Sequence, residues 1–454
     1  MTVPTYISDE TPTPRETTTT EVTPETDQTF HYRSCWYPIC FVQDLPKNKP
    51  YSFSLYEEPL VLFRNETGTL ICLTNRCPHR AAKLSDGQII DGKIECLYHG
   101  WQFGINGECL HIPQLAPDAK IPVNACVESF PVVQRQGMIW LWIGEAKKAD
   151  ERLIPIIPEL DNPAFVSTDY IRELPYDQNY LIENFIDPAH VYISHDGSEA
   201  NRQDAQPLEI EVLESCAMGI RGKFRGMLKV NGRYQRLDFI APNLVHYRLS
   251  FAKPDWLAGL ALYTVPLGRG RSRVILRRYR NFFTGQMKLK PRWLEHLRQN
   301  RVLEEDLPLI LGQQTEIARL GKSLQEIFLP LKTSDVLVTE YRKWLDNFGA
   351  SLPYYQGYNT TKNMSNGEYI PQSVESDRFS QHTVICSSCH RAYQITNRLK
   401  YTGVGVAIAL FALAIVTDGE WREIVAVSGA GLAIVFAAIT GKIERKFKDS
   451  YHRS

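Results

Sequence analysis

The sequence predicts an α+β protein in three parts: an all-β N-terminal domain, a sheet-and-helix domain, and a C-terminal pair of apolar helices. Three observations carry this. Short apolar or alternating runs, broken by Pro, Asn and Gly, recur between residues 32 and 143 and read as strands with turns. Longer alternation between 207 and 283 then gives way, at Pro291, to apolar residues at helical spacing. Finally, two apolar runs at 401–417 and 424–441 flank the polar segment 418–423.

The chain has 454 residues, a length that suits about three domains. Its 51 basic and 51 acidic residues balance, which gives no reason to expect nucleic acid as a partner. Ten cysteines without a leading signal peptide suit a reducing compartment, where thiols serve as ligands or redox groups. Residues 1–29 are rich in Thr, Pro and Glu, have little to bury, and are expected to be a disordered tail.

The first domain is expected to span residues 30–147. Strand-like runs lie at 51–55, 60–63, 70–73, 88–90, 93–96 and 138–143. Between them stand Cys77-Pro-His79-Arg and Cys96-Leu-Tyr-His99-Gly-Trp, with sixteen residues separating His79 from Cys96. Two Cys/His pairs on neighbouring loops are the ligand set of a Rieske [2Fe-2S] centre, in which two thiolates hold one iron and two imidazoles the other. Neutral imidazoles leave the cluster less negative than four thiolates would, so it relays single electrons at a raised potential. Zinc takes the same residue types, but its pairs usually run Cys-x2–4-Cys and His-x3–5-His.

Residues 148–350 are expected to form the second domain. It opens on a Pro-rich linker and then Asn184-Phe-Ile-Asp187-Pro-Ala-His190-Val-Tyr-Ile-Ser-His195. Asp187 before Pro188 reads as an N-cap, placing His190 in a first helical turn. Five residues along one helix rotate a side chain by about 500°, so His195 meets His190 only if the helix ends between them. Asp196-Gly197 offers that stop. A mononuclear non-haem iron takes two His and one carboxylate. Glu304, Glu305 and Asp306, on the helix expected over 291–320 with Pro308 as a kink or restart, are all candidates. An acidic run on a helix is usually a solvated face, and spacing does not choose among the three.

Together these motifs resemble the α subunits of Rieske non-haem iron oxygenases. Cys109-Leu-His-Ile-Pro-Gln114, Glu183-Asn184 leading to Asp187-Pro-Ala-His190, Leu331-Lys332 and His382-Thr-Val-Ile-Cys386-Ser-Ser-Cys389 resemble the pheophorbide a oxygenase branch, which includes chlorophyllide a oxygenase and the chloroplast translocon Rieske protein. The resemblance implies a helix-grip (START-like) catalytic domain, O2 as co-substrate and ferredoxin or another donor. It also implies a homotrimer in which Asp187 bridges a Rieske histidine of one subunit to an iron histidine of the next. It picks Asp306 as the third iron ligand, with Glu305 still possible, and puts Asn184 near the iron. A chlorophyll-derived, hydrophobic tetrapyrrole is the implied substrate. The alternative is a redox-sensing or translocon-associated electron-transfer protein with little turnover.

Residues 351–400 read as a linker, irregular to about 385, carrying Cys386-Ser-Ser-Cys389. Half a zinc site is one reading, with no second Cys-x-x-Cys to complete it. A reversible dithiol is the expectation, since thiols at this spacing can close a disulfide, and the resemblance implies thioredoxin as its reductant. The runs within 401–441 are expected to be transmembrane helices, Gly429 and Gly431 suiting close packing. Arg398, Lys400 and the basic tail 442–454 put both ends on the positive side. The catalytic domain then faces the cytoplasm, or the stroma of a plastid. A cyanobacterial thylakoid or plasma membrane is the simpler setting for a chain without a transit peptide.

Overall fold

The structure, a computed structural model, describes residues 29–228, 232–362, 377–416 and 418–451. The expected N-terminal tail falls almost entirely outside them.

The N-terminal part holds strands β1 (Trp36–Phe41), β2 (Tyr51–Leu55), β3 (Glu58–Arg64), β4 (Leu70–Thr74), β5 (Gln88–Ile90), β6 (Lys93–Glu95), β7 (Gln102–Phe103), β8 (Cys109–His111), β9 (Ser129–Phe130), β10 (Val132–Arg135) and β11 (Met138–Trp142). They form three antiparallel sheets ordered β1-β11-β10, β2-β3-β4-β9 and β5-β6-β7-β8. Val61, Phe63, Ile71, Leu73, Ile94 and Phe103 make a small core of their own, with Cys77 and Cys96 at its edge. The β1 and β11 strands are buried along their whole length and belong to a second, larger core shared with the next sheet. Trp140 meets Tyr263 edge-on there at 5.5 Å. At the β2–β3 turn Tyr56 and Glu57 both adopt positive φ, and their N–H groups bond the carbonyls of Pro266 and Leu267. That docking holds a left-handed turn that contains no glycine.

The second part is one seven-stranded antiparallel sheet, ordered β12-β18-β17-β16-β15-β14-β13. Its strands are β12 (Val166–Leu174), β13 (Leu208–Cys216), β14 (Gly219–Gly226), β15 (Gln235–Ile240), β16 (Leu244–Ser250), β17 (Leu257–Gly268) and β18 (Arg271–Arg280). Six of the seven are legible as alternation. The exception, β12, lies in the stretch read as linker, because Asp169, Arg172 and Glu173 interrupt its apolar residues. Arg172 is nevertheless fully buried, bonding Asn300 and Glu304.

The described chain has nine α-helices: α1 (Pro158–Asp161), α2 (Gln178–Ile186), α3 (Val191–Ser194), α4 (Thr284–Leu289), α5 (Arg292–Leu320), α6 (Leu324–Ile327), α7 (Val336–Phe348), α8 (Ser387–Val416) and α9 (Glu420–Arg445). The α2 helix lies against β15 to β18, and the long α5 contacts α2 and the edge strand β12; this packing of helices on one antiparallel sheet agrees with a helix-grip fold. Helix α5 begins after Pro291 and ends at Gly321 (φ 61°), whose N–H returns to the Ile317 carbonyl. Pro308 sits inside this helix rather than restarting it, and its missing N–H frees the Glu304 carbonyl.

The segment read as irregular is more ordered than its composition suggests. Tyr355–Gln356 pairs with Thr361–Lys362, and Phe379–Thr383 forms a π-helical turn with His382 and Thr383 fully buried. Residues 363–376 lie outside the described part. Helices α8 and α9 are long and apolar enough to cross a membrane, and they pack on each other through buried Gly403, Ala407, Ala426, Ala430 and Ala437. A Cβ on Gly403 would lie 3.1 Å from that of Ala437. Of the two glycines expected to pack, Gly429 faces Leu410 while Gly431 faces open space.

Candidate metal centres

The Cys77 and Cys96 loops are two versions of one turn. Ala81 (φ 59°) and Gly100 (φ 73°) each stand four residues after a cysteine in left-handed conformation. Each sends its N–H back to that cysteine's carbonyl at 2.9 Å. Return bonds from Cys77 N–H to Ala82 and from Cys96 N–H to Trp101 close the pair. The turns bury both thiols (2% exposed) and bring His79 and His99 together at the surface, ring centroids 4.4 Å apart. Trp101 stacks flat on His79 at 4.7 Å, and Gln114 donates to the His99 carbonyl.

The second centre is built from both ends of α3. His190 caps its start, and His195 follows its last residue, so the four-residue helix is the break that lets the rings face each other at 5.4 Å. Asp187 differs from its sequence reading. It ends α2 instead of capping a new helix, its Oδ1 accepts from Ala189 N–H, and its carbonyl holds His190 Nδ1 at 2.7 Å. Asp-Pro opens a turn here because the tight link between α2 and α3 needs one.

Across from the histidines, α5 presents its three acids, all buried. The solvated-face reading therefore fails, because each carboxylate has its own partners. Glu304 bonds Arg172 and Arg378. Glu305 accepts from His195 Nδ1 at 3.1 Å, Ser198 Oγ at 2.6 Å and Arg301 at 3.0 Å. Asp306 Oδ2 lies 3.1 Å from His195 Nε2 and 3.7 Å from His190 Nε2. Asn184 Nδ2 is 3.3 Å from the same oxygen. His190, His195 and Asp306 thus offer ligand atoms within 4.8 Å of one another. Burial favours neutral forms here, but the charges oppose it: Asp187 and Asp306 hold His190 above its usual range, and the histidines hold Asp306 below its own.

The centre opens into a cavity of about 1040 Å³. Its walls combine apolar and aromatic residues, Phe185, Phe224, Tyr247, Leu260, Leu262 and Tyr279, with charged ones that include Glu199, Arg278, Arg280, Lys290, Glu295 and Arg298. Sequence reasoning listed none of these, because alternation shows which strand residues share a face but not what that face encloses.

Cys386 and Cys389 are fully buried beside His296 and His382. His382 stands in the quoted motif, four residues before Cys386, whereas His296, on another element ninety residues from Cys386, carries no sequence signal.

Comparison with known proteins fits this architecture. Residues 35–131 match the Rieske [2Fe-2S] domain family and residues 239–323 the pheophorbide a oxygenase family. Protein TIC 55 of Pisum sativum is 34% identical, over 88% of this chain and 77% of its own length. Pheophorbide a oxygenase of Oryza sativa is 30% identical, over 95% and 86%. The chain belongs to the Rieske oxygenases, in the branch of these relatives. A crystal structure of dicamba monooxygenase shares the fold, with a TM-score of 0.60 at 22% identity, covering 70% of this chain and 98% of that one.

A Rieske oxygenase carries a [2Fe-2S] cluster and a mononuclear non-haem iron, and uses O2 as co-substrate. The residues fit both groups. Two buried thiols lie under two surface imidazoles at the first centre. At the second, both histidines engage Nδ1 elsewhere and turn Nε2 toward Asp306, as iron ligation requires.

Proposed function

We propose that this enzyme oxygenates a bulky, apolar, chlorophyll-derived tetrapyrrole of the pheophorbide a or chlorophyllide type. The observation that carries this is the roughly 1040 Å³ chamber, with its apolar wall of Phe185, Tyr247, Leu260 and Leu262, over the His190, His195 and Asp306 cluster. It stands at the upper end of the range for small-molecule sites, about 300–1,000 Å³. The relative named for pheophorbide a supports the substrate class.

In this reading Cys77, His79, Cys96 and His99 hold the cluster, and His190, His195 and Asp306 hold the iron. Bound there, iron supplies O2 activation at the positions three protein ligands leave open. Glu305 fixes the tautomer and direction of His195, and the Asp187 carbonyl does the same for His190. Asn184 donates to the same Asp306 oxygen that faces the two histidines and so helps fix the direction of that carboxylate. The exposed edge formed by His79 and His99 suits electron entry from ferredoxin or a similar donor. It also suits delivery to the Asp187 side of a neighbouring subunit in a homotrimer.

Helices α8 and α9, long and apolar enough to span, support association with a membrane. Their outward faces carry Ile408, Ile415, Val425, Leu432 and Val435, each more than half exposed. Lys442, Arg445, Lys446 and Lys448 follow the second span, which orients the catalytic part to the positive side. Relatives named as chloroplastic support a plastid membrane, and in this reading the catalytic part lies on its stromal side.

The test is turnover with pheophorbide a, chlorophyllide a and protochlorophyllide under 18O2. One of them should take up label, and His190→Ala should abolish uptake while the Rieske paramagnetic signal persists. Undiminished turnover in that variant, or no label in any tetrapyrrole, would sink the proposal.

A further inference from the structure

Among the described residues, one further group of metal-binding side chains comes together beyond the two proposed iron centres. His296 on α5, His382 in the π-helical turn, Cys386 before α8 and Cys389 in its first turn are all completely buried. Their four donor atoms lie within 4.8 Å of one another. His296 Nδ1 is 3.4 Å from Cys386 Sγ and 3.5 Å from Cys389 Sγ, and His382 Nε2 is 3.2 Å from Cys389 Sγ. A tetrahedral zinc ion with bonds of about 2.3 Å to sulfur and about 2.0 Å to nitrogen sets sulfur–nitrogen edges of about 3.5 Å. The observed contacts are close to those edges.

The backbone around the group is arranged for ligation. His296 Nε2 faces the Asp169 carbonyl and His382 Nδ1 faces the Ile171 carbonyl, two residues apart on β12. A carbonyl only accepts, so those ring nitrogens carry the protons. The other nitrogen of each ring is then an unprotonated lone pair aimed at the sulfurs, which is how metal-bound histidines are usually fixed.

We propose that His296, His382, Cys386 and Cys389 form a closed Cys2His2 zinc site. Binding displaces the two thiol protons, and two thiolates then neutralise the dication, so the buried site carries no net charge. Four protein ligands leave no open position, which makes the role structural. The ion ties β12, α5 and the root of α8 together. It thereby fixes the apolar hairpin to the helix that carries Glu305 and Asp306. A reversible dithiol uses the same two cysteines but gives the two aimed imidazoles no role.

The test is metal content and zinc-edge X-ray absorption on the full-length, detergent-solubilised protein, purified without added metal. One zinc per chain beside the irons, with two sulfur and two nitrogen neighbours, is the expected result. Cys389→Ser and His382→Ala should each lose more than nine-tenths of the zinc while the Rieske signal stays. Should those variants fail to fold, the absorption spectrum of the unaltered protein still decides the matter. Zinc below one-tenth per chain in cluster-replete protein would overturn the site, as would a Cys386–Cys389 disulfide found by mass spectrometry. A zinc shell without two sulfurs, or iron in its place, would do the same.

Discussion

Replacing Glu305 and Asp306 one at a time separates two neighbouring carboxylates that the sequence could not tell apart. Glu305→Gln keeps an acceptor beside His195 Nδ1, 3.1 Å away, but removes its charge. A charge-assisted hydrogen bond contributes about 1.5–3 kcal/mol against about 0.5–1.5 for a neutral one. Ser198 and Arg301 still hold the side chain in place, so the loss stays near 1–1.5 kcal/mol. That is about tenfold in the iron dissociation constant. Asp306→Asn instead leaves a neutral amide, a far weaker iron ligand than a carboxylate, facing both Nε2 atoms. Iron should fall from about three to about two per chain, with turnover abolished. The assay is iron content after dialysis against a graded chelator, with the Rieske signal as internal standard. If Glu305→Gln strips the iron and Asp306→Asn retains it, the roles given to the two carboxylates are reversed.

Two other substitutions probe the chamber and the frame. A Cβ on Gly259 would lie 2.0 Å from the Tyr279 ring, so Gly259→Ala must push Tyr279 from its place in the cavity wall. Overpacking of this kind costs about 1–3 kcal/mol. We expect a tenfold or greater rise in tetrapyrrole KM with full cluster and iron content, read by steady-state kinetics. Glu304 is buried, which raises its pKa, but the hydrogen bond from Arg378 and the charge of Arg172 outweigh this and hold it below the usual range. A depressed carboxyl stabilises the fold above its unfolded pKa of about 4.3, and that stability is lost as pH falls through the folded value. Thermal inactivation should therefore accelerate on acidification below about pH 4.3. Glu304→Gln should inactivate faster at neutral pH, leaving two buried guanidiniums at a cost of about 3–5 kcal/mol, and show a flatter acid dependence.

Much of the fold was legible because it rests on periodicity. Alternation marks β13 to β18, and the stripe from Trp293 to Leu320 marks α5 almost to the residue. The proposed cluster ligands, Cys77, His79, Cys96 and His99, stand out because both pairs lie on short loops and carry their spacing in the sequence. What was hidden depends on distant residues meeting. β12 reads as linker until Asn300 and Glu304 arrive to receive Arg172. Asp187 looks like a cap because Asp-Pro opens helices as well as turns. Cys386 and Cys389 look like half a site because His296 lies ninety residues away from Cys386. The acids at 304–306 look like a solvated face because the Arg172, His195 and Ser198 that bury them come from earlier segments.

The most direct test of an oxygenase, as against an electron carrier, is a single turnover. Protein with its Rieske cluster fully reduced is mixed with one equivalent of pheophorbide a and 18O2, then quenched. The account predicts that loss of the Rieske signal keeps pace with labelled product and that neither occurs in His195→Ala. Cluster oxidation with no labelled tetrapyrrole, at full iron occupancy, would contradict it.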